Sequence, residues 1–519
     1  MKEKIRSFSP DISEAASTLA RYKRDRAELD ARLAGERNIW KEVYSGEESS
    51  SWIFNSIVNK HADIIDSLPT CVCLPRERRD EKAADMLSKV IPVISERCDF
   101  EQIYSDNCWT KLKFGTAVYG VFWNNALEGG LGDIDIRAID ISDIFWDIGV
   151  DDIQSSKNLF ITAHDDIEKL EALYPHFRYK SAKAEEQRLS GLLYGREASD
   201  GKCLVVDWYY KKYTDNGRCL LHYCKFVGDT ILYSSELDGD IDNGWYAHGE
   251  YPIVTDRLYP TDSGVYGFGI IAIADNLQKY INRLDSNMLE YTDWATRVRF
   301  WAKRSLGVNE KDFLDLEKSI IEVEGDIDGE KLRQIEISPI DDSVIDVKRL
   351  KIEELKEITG SRDVSQGGVT GGVTAASAIS ILREAGAKAS RDGIAQSFRA
   401  YVKIMSLVIE LIRQFYDSPR IFRIVGEDGG REYLEFDGRM LSSDSGARPS
   451  FDIEVSASKK SPTEAAQKNE IAFKLCKMGA FAPENAKQTV MMLELMDFDG
   501  VEGLKATIRS QFLLNDDKS

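Results

Sequence analysis

Apolar spacing divides the chain into helical and extended stretches. Residues 1–37 are charge-rich, with sparse apolar positions at Leu19, Leu29 and Leu33, which predicts a solvated helix or an arm that orders on a partner. In "SSWIFNSIVNKHADIIDSL" (50–68), Ile53, Ile57, His61 and Ile64 recur at helical spacing, with His61 read as an interfacial core histidine and Pro69 ending the segment. Further helices are expected near 80–96 and 99–113. The period then changes to two. "GTAVYGVFW" (115–123) and "GDIDIRAID" (132–140) read as strands, joined by the turn-rich "NNALEGG". More strands are expected at 203–213 and 218–235, the latter as a hairpin turning at Gly228 and Asp229. Residues 115–255 therefore form a β-rich module.

Helical spacing returns after "YPIVTDRLYPTDSGVYGFG". Ile273, Leu277, Leu284, Met288, Tyr291, Ala295 and Val298 recur in steps of mostly three and four. One helix over 268–300 is roughly 50 Å long at ~1.5 Å per residue. Residues 301–338 are mixed, as in a compact insertion with a short helix and short strands. "PIDDSVIDVKRLKIEELKEITG" (339–360) opens with Pro and two acids and closes on Gly360, good helix signals at both ends. A glycine-rich loop follows at 361–374, then a long helix over 375–416. In that helix Ile394, Phe398, Tyr401, Met405, Val408, Ile412 and Phe415 alternate steps of four and three. Such a stripe suits a coiled coil and equally a core-facing helix of a bundle. The small residues of "EAGAKASRDG" suit close packing or a bend. The remainder holds short strands at 421–425 and 451–455 and two helices, beginning at "SPTEAAQ" and "APENAKQ". The pattern is α+β, mostly helical.

Charge narrows the functional classes. With 68 basic and 88 acidic residues among 519, the formal net charge is −20. That argues against a protein that grips duplex DNA, which needs basic patches to displace counterions, but not against one that surrounds DNA without holding it. The first residues carry no apolar run of a signal peptide, and "YVKIMSLVIELI" is too short and too charged to span a bilayer. A soluble protein of a reducing cytoplasm is expected.

Candidate chemistry is sparse. Gly367 and Gly372 have the spacing of a phosphate-binding loop and Thr374 falls at its hydroxyl position, but Val373 stands where the lysine should be. A charged helical segment precedes it, not a buried strand, so a nucleotide site is disfavoured against a helix connector. Asp133 and Asp135 alternate with Ile134 and Ile136 and are placed on the wet face of a strand, with no His, metal cluster or second acidic pair spaced to join them. Cys219, His222 and Cys224 could be named a metal cluster, yet "RCLLHYCKF" alternates like a strand, and no C-x-x-C occurs. Buried or half-buried thiols are the better reading. Cys71 and Cys73, two apart, are placed on opposite faces of a strand. No cofactor and no metal is expected.

The order of these parts resembles the portal proteins of tailed bacteriophages. "WIFNSIVNKHADIIDSLP", "KFGTAVYGVFW" with "GDIDIRAIDISDIFWD", "YPIVTDRLYPTDSGVYGFGIIAIADNLQKYINRLDS" and "GGVTGGVTAASAISILREAGAKASRD" carry the resemblance, which runs from about Trp40 to 500 and leaves out 1–37 and the extreme C-terminus. None is a catalytic signature; their order makes the match specific. The resemblance implies a homo-oligomeric ring, usually of twelve subunits, at one capsid vertex, with double-stranded DNA passing through its tunnel. Implied partners are the terminase large subunit, which hydrolyses the ATP, the major capsid and scaffolding proteins, and a tail or adaptor protein; no membrane is involved. By order, 1–37 is an N-terminal arm and 38–267 the wing. Residues 268–300 and 339–360 are stem helices flanking a clip at 301–338, and 361–374 is the tunnel loop. Residues 375–416 form the long wing helix, 417–459 wing strands, and 460–519 the crown and C-terminal tail. The resemblance implies that Gln366, Gly367, Gly368, Val369, Thr370, Gly371, Gly372, Val373 and Thr374 face DNA. Arg299, Lys303 and Arg304 are the basic candidates at the stem–clip junction. The loop's one basic residue is Arg362, which does not suit tight gripping. The alternatives are another ring-forming or coiled-coil scaffold and a P-loop NTPase.

Overall fold

A computed structural model of the chain describes residues 10–45, 50–195, 201–214, 217–237, 244–262, 264–296, 300–302, 332–334, 340–360, 388–425, 431–441 and 449–459, with Lys311, Lys474 and Lys477. The described residues begin with two helices, α1 (Ile12–Asp25) and α2 (Ala27–Ser45). Asp11 caps α1, its carboxylate accepting from the Glu14 N–H at 3.1 Å. Where a solvated helix or an arm that orders on a partner was expected, these residues are helices, but helices packed on their own subunit. Leu19, Leu29 and Leu33 are all buried: sparse apolar positions still make a continuous stripe when the spacing is helical. Arg26 is buried too. Its guanidinium lies 4.7 Å over the Phe145 ring and donates to the carbonyls of Ile144 and Ile141, the latter at 2.9 Å.

Helix α3 (Trp52–Ile65) buries Ile53, Ile57 and Ile64, while His61 is half-buried and stacks on Trp109 at 4.5 Å. The helix ends before Pro69, which lies inside β1 (Ser67–Pro75). Strand β1 pairs antiparallel with the distant β16 (Phe451–Lys459), Pro69 opposite Ala457. Cys71 and Cys73 share its buried face, correcting their assignment to opposite faces: the side-chain period of a strand is two, so residues two apart point the same way. Helices α4 (Glu81–Arg97) and α5 (Phe100–Phe114) follow at the expected places.

The β-rich module is two antiparallel sheets. Strand β2 (Thr116–Asn124) is central to a three-stranded sheet between β3 (Asp133–Ile139) and β9 (Ile253–Arg257). A five-stranded meander runs through β4 (Ile144–Trp146), β5 (Asn158–Asp166), β6 (Lys202–Tyr213), β7 (Cys219–Val227) and β8 (Thr230–Ser234), with the last hairpin turning at Gly228 and Asp229 as read from the sequence, and after β9 the short strands β10 (Tyr259–Pro260) and β11 (Gly267–Phe268) pair with each other. Two unexpected helices, α6 (Ile167–Leu173) and α7 (Tyr179–Tyr194), lie between β5 and β6. Leu189 and Leu193 of α7 pack with Leu19 and Tyr22 of α1 around Phe160 and Phe226.

Asp133 is not on a wet face. It is buried, and its Oδ1 accepts from the Tyr416 hydroxyl at 2.6 Å and from the Ile134 N–H at 2.9 Å, with the Arg97 guanidinium 3.5 Å from Oδ2. The alternation misleads because the end of β3 is covered by the segment holding Tyr416 and Arg420. Cys224 is buried and Cys219 half-buried, as read from the sequence. His222, between them in β7, sits 3.3 Å from the Ser235 hydroxyl. Among the described residues, no group of His, Cys, Asp and Glu is arranged to hold a metal ion.

The heptad stripe lies in α10 (Lys388–Phe415). Tyr401, Met405, Val408 and Ile412 are buried, and so are Ile404, Leu407, Ile409 and Leu411. A helix buried on so many sides is the central core helix of its own subunit, not one seam of a coiled coil. Strand β14 (Arg420–Val425) pairs with β15 (Arg431–Phe436), which the sequence reading missed.

Lys111 and Asp256 form a fully buried ion pair in the core. Lys111 Nζ donates to Asp256 Oδ1 at 2.7 Å, to the Gly393 carbonyl at 2.8 Å and to Ser397 Oγ at 2.8 Å, and Ser397 Oγ donates to Asp256 Oδ2 at 2.7 Å. It bolts α5, β9 and α10 together. The small residues at the start of α10 therefore do serve close packing: a side chain at Gly393 would stand 3.3 Å from Leu258.

Candidate functional site

Two helices stand out from this body. Helix α8 (Ile270–Thr296) buries Ile270, Ile271, Ala274, Leu277, Gln278 and Ile281, all in its first half. From Asn282 to Thr296 no residue is buried. At ~1.5 Å per residue, roughly 20 Å of helix extends past the core. Its neighbour is α9 (Asp342–Thr359), the two joined by the Lys348–Asp285 ion pair.

Both ends of α9 follow from local chemistry. Asp341 is the N-cap, its carboxylate accepting from the Ser343 N–H at 2.9 Å; that bond holds the carboxyl below its ordinary pKa. Gly360 ends the helix in the left-handed region at φ 70°, where a side chain would be strained, and its N–H donates to Glu357 O at 3.1 Å. The root of the pair is fixed to α3. The Ile53 N–H donates to Gln278 Oε1 at 3.3 Å, and the Ser56 and Thr359 hydroxyls are 3.1 Å apart.

The surface of this projecting pair is both charged and apolar. Asp275–Lys279 and Lys351–Glu354 are exposed ion pairs at 2.7 Å, worth about 0–1 kcal/mol each. Beside them Leu289 is 67 % exposed and Leu350 61 %, with Tyr280, Val347 and Ile358 also open to solvent. Single exposed apolar residues are ordinary. Several on one slender two-helix projection lack the core that would stabilise it.

At the far end of α8, β12 (Phe300–Ala302) pairs antiparallel with β13 (Leu332–Gln334), Trp301 opposite Arg333. Residues 300–302 and 332–334 are thus held side by side in one two-stranded ladder. Of the sequence-derived candidates, Arg299, Lys303 and Arg304 lie outside the described residues. So do Gln366, Gly367, Gly368, Val369, Thr370, Gly371, Gly372, Val373 and Thr374, and the crown at 460–519 apart from Lys474 and Lys477. The described residues on either side are Gly360, at the end of α9, and Lys388, the first described residue of α10.

Sequence reasoning missed Lys111, Asp256 and Glu36, charged groups buried inside the subunit. Only their helical or strand phase, pointing inward, signals them. No described helix is long and apolar enough to cross a membrane. No curated protein matches the chain. The family model for phage P22-like portal proteins matches residues 57–518. With nearly the whole chain inside that match, the chain belongs to the P22-like portal protein family.

Proposed function

We propose that the chain assembles into a closed ring of twelve subunits at a single capsid vertex, where it is the conduit for double-stranded DNA during packaging and ejection. Residues 38–267 with 375–459 are the wing, α8 and α9 the stem, 301–338 the clip and 361–374 the tunnel loop. Residues 460–519 are the crown and C-terminal tail. The terminase large subunit, and later a tail or adaptor protein, dock at the clip; capsid and scaffolding proteins meet the wing. The protein is a passage and not an enzyme, with ATP hydrolysis left to the terminase.

The observation that carries this reading is the projecting helix pair with its exposed apolar side chains. Identical neighbours packed side by side supply the core that one pair lacks, and head-to-tail contacts of one kind close into a ring. Charge supports the same reading. Twelve copies at −20 each give −240, a surface that repels phosphate and so lets DNA move without sticking. The loop glycines allow many backbone conformations, and Val369, Thr370, Val373 and Thr374 offer contact without charge. Mass photometry tests the assembly. A twelve-subunit ring of 58.6 kDa chains has a mass of about 0.7 MDa (12 × 58.6 kDa); a monomer at every concentration and salt overturns the reading.

A further inference from the structure

The root of α8 is built of backbone against backbone. A Cβ at Gly115, whose φ is +86°, would lie 2.3 Å from the Phe268 backbone; at Gly267 it would lie 2.3 Å from Tyr259 O, and at Gly269 2.3 Å from Lys113 O. Three glycines thus join the end of α5 to the start of the projecting helix. Helix α2 lies across this joint. Arg32 Nη2 donates to the Gly267 carbonyl at 2.7 Å.

One turn along α2, Glu36 faces the same way and is only 4 % exposed. Among the described residues, neither carboxylate oxygen has a hydrogen-bond donor, and the nearest cation is Arg32 Nε at 3.6 Å. Cations on α2 and on the helices packed against it are engaged elsewhere. Lys111 of α5 is bound to Asp256, and Lys113 lies over the rings of Trp40 and Phe114. On α8, Lys279 pairs with Asp275. Nearer the N-terminus Arg26 pairs with Asp30, and Arg37 with Asp140. A carboxyl buried without donors favours its neutral form.

We propose that α2 is a proton-sensitive latch on the root of the helix pair: with Glu36 protonated, the helix stays seated and Arg32 holds Gly267; with Glu36 ionised, the helix lifts and releases the glycine joint. Burial pushes the Glu36 carboxyl up from 4.5 to about 7, outweighing the attraction of Arg32. The sign follows. The seated state binds the proton more tightly than the lifted state, where Glu36 is solvated. Seating is therefore strongest below about pH 4.5, weakens about tenfold per pH unit from there to about 7, and is constant above. The latch does not rest on ring assembly.

Hydrogen exchange of the full chain tests it, with rates corrected for the intrinsic pH dependence. Between pH 5.5 and 7.5, protection of the α2 amides and of residues 267–271 falls on the order of twentyfold in the wild type. In Glu36→Gln, a neutral side chain of the same shape, protection is high and independent of pH. Arg32→Met lowers protection at residues 267–271 at both pH values. A flat wild-type profile, the same pH profile in Glu36→Gln, or unchanged protection in Arg32→Met overturns the proposal.

Discussion

Replacing Lys111 by Met probes the bolt at the centre of the subunit. The Lys111 and Asp256 side chains are both fully buried, and the ammonium makes three bonds of 2.7–2.8 Å to Asp256, Gly393 and Ser397. Methionine keeps the volume of the chain and removes the charge. Among the described residues, Asp256 then keeps only the Ser397 hydroxyl as a side-chain donor, and the Gly393 carbonyl loses the Lys111 ammonium. Removing one partner of a buried pair costs about 3–5 kcal/mol, mostly because the remaining charge has nowhere to go. Against a typical total of about 5–15 kcal/mol that is a large fraction. The double variant Lys111→Met with Asp256→Asn removes the stranded charge while Asn still bonds Ser397, so it should be more stable than the single variant by at least about 1 kcal/mol. Urea unfolding followed by tryptophan fluorescence reads both. A loss under about 1 kcal/mol in the single variant, or simple additivity in the double, refutes the argument.

Three further outcomes are expected. Leu289→Asp with Leu350→Asp should leave the far-UV circular dichroism of the subunit unchanged and abolish the high-mass species in mass photometry; a normal assembly removes the helix pair from the interface. Deleting residues 366–371 should leave ring mass and thermal unfolding nearly unchanged, since loop closure varies by only about 0.6 kcal/mol per doubling of length. Capsids should form but fail to package or retain the genome, and full infectivity of the deletion refutes the tunnel-loop assignment. Lys303→Ala with Arg304→Ala should leave rings intact and reduce packaging; unaffected packaging returns the pair to an ordinary solvated helix end.

Legibility in the sequence tracked how local the determining physics is. The ends of α9 were readable because Asp341 and Gly360 act on their own helix. The hairpin at Gly228 and Asp229 was readable for the same reason. Asp133 was misread because its face is decided by Tyr416 and Arg420, nearly three hundred residues away. The heptad stripe of α10 gave the correct inward side but not its breadth; the surrounding elements that bury Ile404, Leu407 and Leu411 are set by tertiary packing. In the N-terminal helices charge outweighed a thin apolar stripe, and the inward-pointing Arg26 and Glu36 carry no compositional mark. The helix pair was legible as two helices with an insertion between them. Its lack of a core was not, because exposure belongs to the folded subunit and not to the pattern.

Electron microscopy of the purified protein decides whether the chain closes into a ring. Closed rings with cyclic symmetry and an axial opening are expected, with the helix pairs of neighbouring subunits side by side around it. Monodisperse single subunits, or open filaments with no axial passage, contradict the closed ring.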